Sequence, residues 1–211
     1  MSGATLITER SWGEGDQEFR ASLGMWVFLA TEILFFGGLF LAYAELRSQN
    51  VEAFDEAGKH ANFFFGTLNT ILLITSSFMM TIALVCSDKG DRSLLRAMLL
   101  VTLALGVGFL LCKGLEYRSD LQEHLGPGRN FPVRLPAAQA FFAMYWAMTG
   151  LHAVHLTVGL GVVGRVWLIA RRPVWPENFH RTLHVSALYW HLIDVIWMML
   201  YSIFYLVGRA T

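Results

Sequence analysis

The chain contains few charged side chains for its length. Only 15% of its 211 residues are Asp, Glu, Lys or Arg, whereas an ordinary soluble domain has about a quarter. Its 16 basic residues equal its 16 acidic residues, so the sequence offers neither a basic surface for nucleic acid nor an acidic arm. The two cysteines, Cys86 and Cys112, lack the spacing of a zinc site or a redox pair. These shortages argue against nucleic-acid partners and against cysteine-based metal chemistry.

Five long apolar stretches take the place of the missing charge. Hydrophobic residues make up 55% of the chain, and its mean hydropathy is +0.48. The stretches cover about residues 22–46, 61–86, 94–116, 136–170 and 183–207. Each exceeds the roughly 20 residues that a helix needs to cross about 30 Å of hydrocarbon. The predicted fold class is therefore all-α, an integral membrane bundle of five transmembrane helices.

The segments between these stretches are short and polar. Residues 1–21 are predicted to be a polar N-terminal segment without the pattern of a signal peptide, followed by a single transmembrane domain over 22–208. The longest connection, 118–135, contains Gly126-Pro127-Gly128 and Pro132, which break helices. Pro136 suits the first turn of the fourth helix. We therefore expect one membrane bundle without a soluble domain.

Basic residues favour a cytoplasmic N-terminus by a narrow margin. Eight basic residues lie on the N-terminal side of the membrane: Arg10, Arg20, Lys89, Arg92, Arg96, Arg171, Arg172 and Arg181. Six lie on the other side: Arg47, Lys59, Arg118, Arg129, Arg134 and Arg209.

One carboxyl group falls deep inside the first apolar stretch. Glu32 lies about ten residues into it, hence roughly 15 Å deep at the rise of an α-helix. Its helical neighbours are Phe28, Phe35 and Phe36, so no nearby residue of the helix neutralises it. Placing an acid at mid-helix costs about 2.5–3.5 kcal/mol. Two interpretations stay open: a functional carboxyl, or one that only hydrogen-bonds a neighbouring helix or lipid.

The fourth and fifth stretches each carry a polar helical face. His152 and His155 share one face, and His191 and Asp194 share another and are close enough to hydrogen-bond directly. If the two faces meet, three imidazoles and a carboxylate converge. Such a group is consistent with a metal site, a haem site, a proton relay or a buried polar network. The residues alone favour the polar network.

Three further charged residues stand near helix ends. Lys113 is expected to extend its ammonium group towards the membrane surface. Glu116 is expected to pair with Arg118 or with a partner subunit. Arg165, one to two turns inside the end of the fourth stretch, is expected either to hold a lipid phosphate or to extend to the surface.

The five stretches, taken in order, resemble subunit III of the haem–copper respiratory oxidases. The matching segments are SLGMWVFLATEILFFGGLF, LNTILLITSS, LEY, FFAMYWAMTGLHAVHLTVG and YWHLIDVIWMMLY. The last two are similar to the family patterns Thr-Gly-x-His-x-x-His-x-x-x-Gly and Tyr-Trp-His-x-x-Asp-x-x-Trp. The resemblance covers about residues 20–208. The seven-helix form of the family has two further helices ahead of this core, whereas here about twenty polar residues precede it.

The resemblance implies a subunit that has no haem or copper of its own, because the family's redox centres lie in subunits I and II. It implies packing on subunit I, phospholipid bound in helix clefts, and support of proton uptake and sustained turnover in a proton-pumping terminal oxidase that reduces O2 to water. Other respiratory complexes are further possible partners. By position, Glu32 matches the buried carboxyl that carbodiimides modify in relatives. The implied polar-network and lipid-cleft residues are His152, His155, His191, Asp194, Arg165 and Glu116.

Three rival hypotheses remain at this stage. Within the family, the chain is instead the third subunit of a quinol oxidase or a homologue associated with nitric oxide reductase. In another class, it is a stand-alone haem b or quinol-binding protein with His152 or His155 opposite His191. A proton-coupled transporter using Glu32 is less favoured, because the sequence shows no internal repeat and no pair of broken helices.

Overall fold

The computed structural model describes residues 3–60, 62–122 and 136–206, with side chains for 23–59, 62–122 and 138–206. Six α-helices and one π-helical segment make up these ranges. They are α1 (Gly3–Gln49), α2 (Val51–His60), α3 (Phe63–Asp88), α4 (Arg92–Gln122), α5 (Pro136–Ala170), α6 (Phe179–Tyr201) and the π-helical segment Ser202–Leu206. The predicted all-α class is confirmed.

Five helical stretches within the described residues are long and apolar enough to cross a membrane. They are Leu23–Gln49, Phe63–Asp88, Arg92–Gln122, Ala138–Ala170 and Phe179–Leu206. Each one overlaps a span that the sequence predicts, so the prediction of five transmembrane helices is confirmed. The predicted loop residues Gly126-Pro127-Gly128 and Pro132 lie outside the described residues.

Helix α2 is an element that the sequence did not predict. It is amphipathic, with Ala53, Phe54 and Ala57 buried, and its charged residues fall on other faces of the helix. Arg47 at the end of α1 reaches it through a salt bridge to Asp55, with 2.8 Å between Nη2 and Oδ1. Ten residues of mixed polarity are too short to cross a membrane, so the hydropathy pattern did not predict this helix.

Helix α4 is longer than predicted. The sequence places the end of the third span at Glu116 and begins a loop at Arg118, but α4 continues to Gln122. The extension adds about one and a half turns at 3.6 residues per turn. It keeps Asp120 on the same face of α4 as Glu116, since the two residues are four positions apart.

The chain divides into two compact units, residues 1–38 and 39–211. The described part of the first unit is helical throughout. In the second unit, α3 packs beside α4 and α6, and α5 also packs beside α4 and α6, so these four helices form a closed ring. Helix α2 lies against α5.

Helices α3 and α6 are joined by a ladder of hydrogen bonds between hydroxyl groups on α3 and ring side chains on α6. The pairs are Thr67–Tyr201 at 2.9 Å, Thr70–Trp197 at 3.1 Å, Ser76–Trp190 at 3.1 Å, Ser77–His191 at 2.6 Å and Ser87–His180 at 2.9 Å. From Thr67 to Ser87 on α3 the partners run from Tyr201 back to His180 on α6, as antiparallel packing requires. Bonds of this kind add about 0.6 kcal/mol each on average in a membrane helix bundle.

Candidate functional site

A lysine and a glutamate form a buried ion pair in the C-terminal third of α4. Lys113 Nζ lies 3.0 Å from Glu116 Oε2, and the side chains are only 2% and 1% exposed. The two residues are three positions apart, so α4 places them on one face. A buried pair of opposite charges is tolerated when further hydrogen bonds use its remaining protons and lone pairs.

Two tyrosines supply those hydrogen bonds. Lys113 Nζ donates to the hydroxyl of Tyr145 at 2.9 Å and to that of Tyr205 at 2.7 Å. Both hydroxyls in turn donate to Glu116 Oε1, Tyr145 at 2.8 Å and Tyr205 at 2.5 Å. All three ammonium protons therefore have acceptors. We call these four side chains the Lys113–Glu116 cluster.

Aromatic rings surround the ammonium group of this cluster. Lys113 Nζ lies 4.6–5.5 Å from the ring centres of Tyr117, Tyr145, Trp197 and Tyr205. A cation within about 6 Å of a ring centre is attracted by the ring electrons. The rings thus stabilise a charge that hydrocarbon would disfavour.

A second carboxyl group stands one turn further along α4. Asp120 is 7% exposed, and its Oδ2 lies 3.4 Å from the Tyr145 hydroxyl oxygen, as an alternative acceptor for the proton that this hydroxyl donates to Glu116. Tyr145 therefore touches both Glu116 and Asp120. The hydroxyl has one proton, which it donates to one carboxylate at a time, and the bond to Glu116 at 2.8 Å is the shorter. The arrangement is chemically suited to hold the charge of Lys113 inside the bundle.

The π-helical segment and a glycine on α3 position Tyr205. The wider π-helical turn follows α6 directly, and such turns often occur at functional sites. Tyr205 stacks on Tyr201 with ring centres 5.7 Å apart. A Cβ atom at Gly66 would lie 2.5 Å from the Tyr205 ring, so only glycine leaves room for the ring here.

These contacts correct two expectations from the sequence. Lys113 does not extend to the membrane surface, because its Nζ is bound inside the bundle. The ion pair of Glu116 is with Lys113, while Arg118 is exposed. The sequence contained a usable signal, since Lys113, Glu116 and Asp120 recur at helical steps of three and four. Its tyrosine partners lie on other helices, so no local pattern could identify them.

The face of α6 that carries His191 and Asp194 packs against a serine of α3. His191 Nδ1 lies 2.6 Å from Ser77 Oγ. Asp194, 6% exposed, also faces Ser77. The sequence suggested a direct hydrogen bond between His191 and Asp194, whereas in the described structure neither carboxyl oxygen of Asp194 has a hydrogen-bond partner and His191 pairs with Ser77. This arrangement is a polar contact between two helices.

The histidines of α5 have different surroundings. The ring of His152 lies 5.6 Å from that of Phe109 and 5.1 Å from that of Trp197. His155 Nδ1 is 2.8 Å from the carbonyl of Leu151 on its own helix. The imidazoles therefore do not converge on one point. Within the ranges that the structure describes, no three His, Cys, Asp or Glu side chains are grouped to hold a metal ion.

Glu32 and Arg165 lie apart from the Lys113–Glu116 cluster in the chain. Glu32 is half-buried on α1, in the unit formed by residues 1–38. Its helical neighbours Phe28 and Phe35 are exposed. Arg165 is exposed on α5, five residues before that helix ends at Ala170. The roles that the sequence suggested for these two residues stay predictions.

Comparison with known proteins gives a consistent family. A family model described as cytochrome c oxidase subunit III matches residues 18–209. A cytochrome c oxidase subunit 3 from Thermostichus vulcanus is 34% identical over 193 residues, which cover 91% of this chain and 89% of the relative. A probable cytochrome c oxidase subunit 3 from Mycobacterium bovis is 29% identical over 189 residues, covering 88% and 87%.

One relative that is named as a quinol oxidase subunit is as similar to this chain as the mycobacterial subunit is. A quinol oxidase subunit 3 from Bacillus spizizenii is 29% identical over 189 residues, covering 88% of this chain and 86% of the relative. The five apolar helices, their order and these matches over nearly the whole length agree with one another. The chain belongs to the cytochrome c oxidase subunit III family, and it is a multi-pass membrane subunit of a haem–copper oxidase complex.

Proposed function

We propose that the chain is the non-redox subunit III of a proton-pumping terminal oxidase in a bacterial inner membrane, with its N-terminus in the cytoplasm. It packs on subunit I, retains phospholipid along that flank and protects proton delivery, so that turnover is sustained. Haem and copper belong to the partner subunits I and II, where O2 is reduced to water.

The observation that carries this proposal is the surface of α1 around Glu32. Seven large apolar side chains in this unit are exposed, with values from 40% at Phe28 to 76% at Leu34: Leu23, Trp26, Val27, Phe28, Ile33, Leu34 and Phe35. A half-buried carboxyl within such a surface is costly in hydrocarbon, and charged residues so placed are usually functional. A neighbouring subunit packed on this surface would shelter it.

Arg165 supports the lipid part of the proposal. Its exposed guanidinium lies about 7.5 Å from the end of α5 along the helix axis at 1.5 Å per residue. A long basic side chain at this depth reaches the headgroup region. Arg165 would therefore bind a lipid phosphate at the flank of the subunit.

Substitution of Glu32 tests the role of the carboxyl. Glu32→Gln keeps the size of the side chain and removes its acidity. We expect an assembled complex with a normal initial rate and a several-fold faster loss of activity during prolonged turnover. Oxygen consumption, followed in proteoliposomes from the first seconds to extended turnover, measures both quantities.

Glu45→Gln is the matched control, because Glu45 is an exposed carboxyl at the far end of the same helix. It should lose activity at the native rate. Complete loss of initial activity in a fully assembled Glu32→Gln complex would contradict a supporting role. Equal behaviour of Glu32→Gln and the native complex would remove Glu32 from the proposal.

A quinol-oxidising complex is a second candidate, and the relative from Bacillus spizizenii favours it. The electron donor is chosen by the partner subunits, so it must be read from the complex. Purification in mild detergent, with partner chains identified by mass, distinguishes the two. Reduction by cytochrome c supports the first candidate, and reduction by a quinol supports the second. A nitric oxide reductase among the partners would point to the associated homologue, while a Soret band from this chain alone would refute a non-redox role.

A further inference from the structure

Three buried polar side chains on the four helices of the ring have no hydrogen-bond partner among the described residues, and two of them, Asn69 and His152, are almost completely enclosed, whereas Asp194 is 6% exposed. Asn69 on α3 is 0% exposed, and His152 on α5 is 1% exposed. Neither polar atom of Asn69 and neither ring nitrogen of His152 hydrogen-bonds any of the residues that the structure describes. Buried side-chain polar atoms nearly always have a partner, from protein or from ordered water.

His152 lies at an aromatic centre formed by Trp197 and Phe109. The indole of Trp197 lies 5.1 Å from the ring of His152 and 4.6 Å from that of Phe109. The same indole donates to Thr70 Oγ1 at 3.1 Å, and Thr70 is next to Asn69 in α3. His152 on α5 and Thr70 on α3 thus contact the same indole ring.

The burial of the two side chains restricts what can satisfy them. They are enclosed by this chain alone, so neither a lipid nor a residue of a partner subunit can contact them without opening the bundle. An unsatisfied amide or imidazole in an apolar interior is unfavourable. Any partner must therefore be a small molecule with both donor and acceptor capacity, and water has this chemistry.

We propose that Asn69 and His152 each mark an internal hydration site, in which ordered water hydrogen-bonds the amide of Asn69 and the imidazole of His152. The site at His152 lies beside the Lys113–Glu116 cluster, because the Trp197 ring that contacts His152 also lies 5.5 Å from Lys113 Nζ. The water would extend the polar interior of the bundle from that cluster towards the middle of the membrane. This inference is independent of the electron donor and of the role of Glu32.

Radiolytic footprinting of the intact oxidase tests the proposal. Hydroxyl radicals formed from a bound water oxidise the side chains around it, even when these are buried. Trp197 and Trp190 are matched probes: both are 0% exposed, and each indole donates to a hydroxyl of α3. We expect oxidation of Trp197 several-fold above that of Trp190. Equal oxidation of the two would overturn the proposal.

Two variants connect the signal to the residues named. Asn69→Leu and His152→Phe replace polar groups by apolar groups of similar shape, so together they should lower the oxidation of Trp197 to the level of Trp190. Oxidation that stays high in the doubly substituted complex would assign the water elsewhere and refute the site. If the variants do not assemble, density in a high-resolution map of the native oxidase decides. A water peak at both side chains supports the site, and its absence refutes it.

Discussion

The bundle contains two polar regions in which buried polar groups are satisfied in different ways. In the Lys113–Glu116 cluster, opposite charges and two tyrosines use every ammonium proton within the protein. At Asn69 and His152, neutral polar groups are buried as deeply but have no protein partner in the described structure. A buried ion pair needs hydrogen-bond partners for its protons and lone pairs, whereas a neutral amide or imidazole can rely on water. The cluster is therefore a preformed protein site, and Asn69 and His152 are not.

The largest effect is expected from breaking the ion pair. Glu116→Leu leaves the Lys113 ammonium buried without its counter-ion, which costs about 3–5 kcal/mol. We expect little subunit III in the purified oxidase, as measured by quantitative mass spectrometry of the complex. The double variant Glu116→Leu with Lys113→Met removes both charges and should restore most of the subunit. A double variant as poor as the single one would mean that the charges themselves are required.

A smaller effect is expected from removing one hydroxyl of the cluster. Tyr205→Phe deletes the bonds to Lys113 and Glu116 while keeping the ring. Hydrogen bonds to charged groups contribute about 1.5–3 kcal/mol, so the complex should release subunit III at lower detergent concentration or temperature. Tyr189→Phe is the control, since the Tyr189 hydroxyl donates at 3.2 Å to a backbone carbonyl outside the cluster. If both variants release subunit III equally easily, the hydrogen bonds of the cluster contribute no more to stability than the bond of Tyr189.

Crowding of the Tyr205 ring should have a comparable or slightly smaller effect. Gly66→Ala places a methyl group 2.5 Å from that ring, and overpacking of this kind costs about 1–3 kcal/mol. The thermal denaturation temperature of the assembled oxidase should fall. A Cβ atom at Gly161 would meet nothing within 4 Å, so Gly161→Ala should leave that temperature unchanged. Tolerance of both changes would show that Tyr205 moves freely.

The smallest effect is expected at the neutral polar region. His152→Phe exchanges one ring for another of similar shape and removes two buried polar atoms. Replacing a buried polar group by an apolar one is nearly neutral when its partner is water or is removed with it. Thermal denaturation of the assembled oxidase should shift little, in either direction. A loss of stability as large as that of Glu116→Leu would show that the two regions contribute equally to stability.

The membrane spans were predictable from the sequence because hydropathy over about 20 residues is a local property. Helix α2 was not, because its ten residues pair with α5 rather than with the membrane core. The end of α4 was misplaced because polar residues such as Asp120 suggest a loop, although a buried partner keeps them helical. Length and polarity alone cannot reveal that partner.

Only part of the candidate site could be predicted from the sequence. The positions of Lys113 and Glu116 share a helical face, which the sequence shows. Tyr145 and Tyr205 come from 32 and 92 residues away, and their convergence depends on how four helices pack. The π-helical turn that orients Tyr205 has no signature in the sequence. Conversely, the spacing of His191 and Asp194 suggested direct partners, and the pairing of His191 with Ser77 of α3 could not be anticipated.

The ladder between α3 and α6 has a mechanical consequence. Ring side chains stand on one helix and hydroxyl groups on the other, so a shift of one turn, about 5.4 Å, would misalign all five pairs together. The two helices therefore pack in one register, and a shift of one helix past the other by a turn is unfavourable. If subunit III changes shape during the oxidase cycle, these two helices form the stationary frame against which the change occurs.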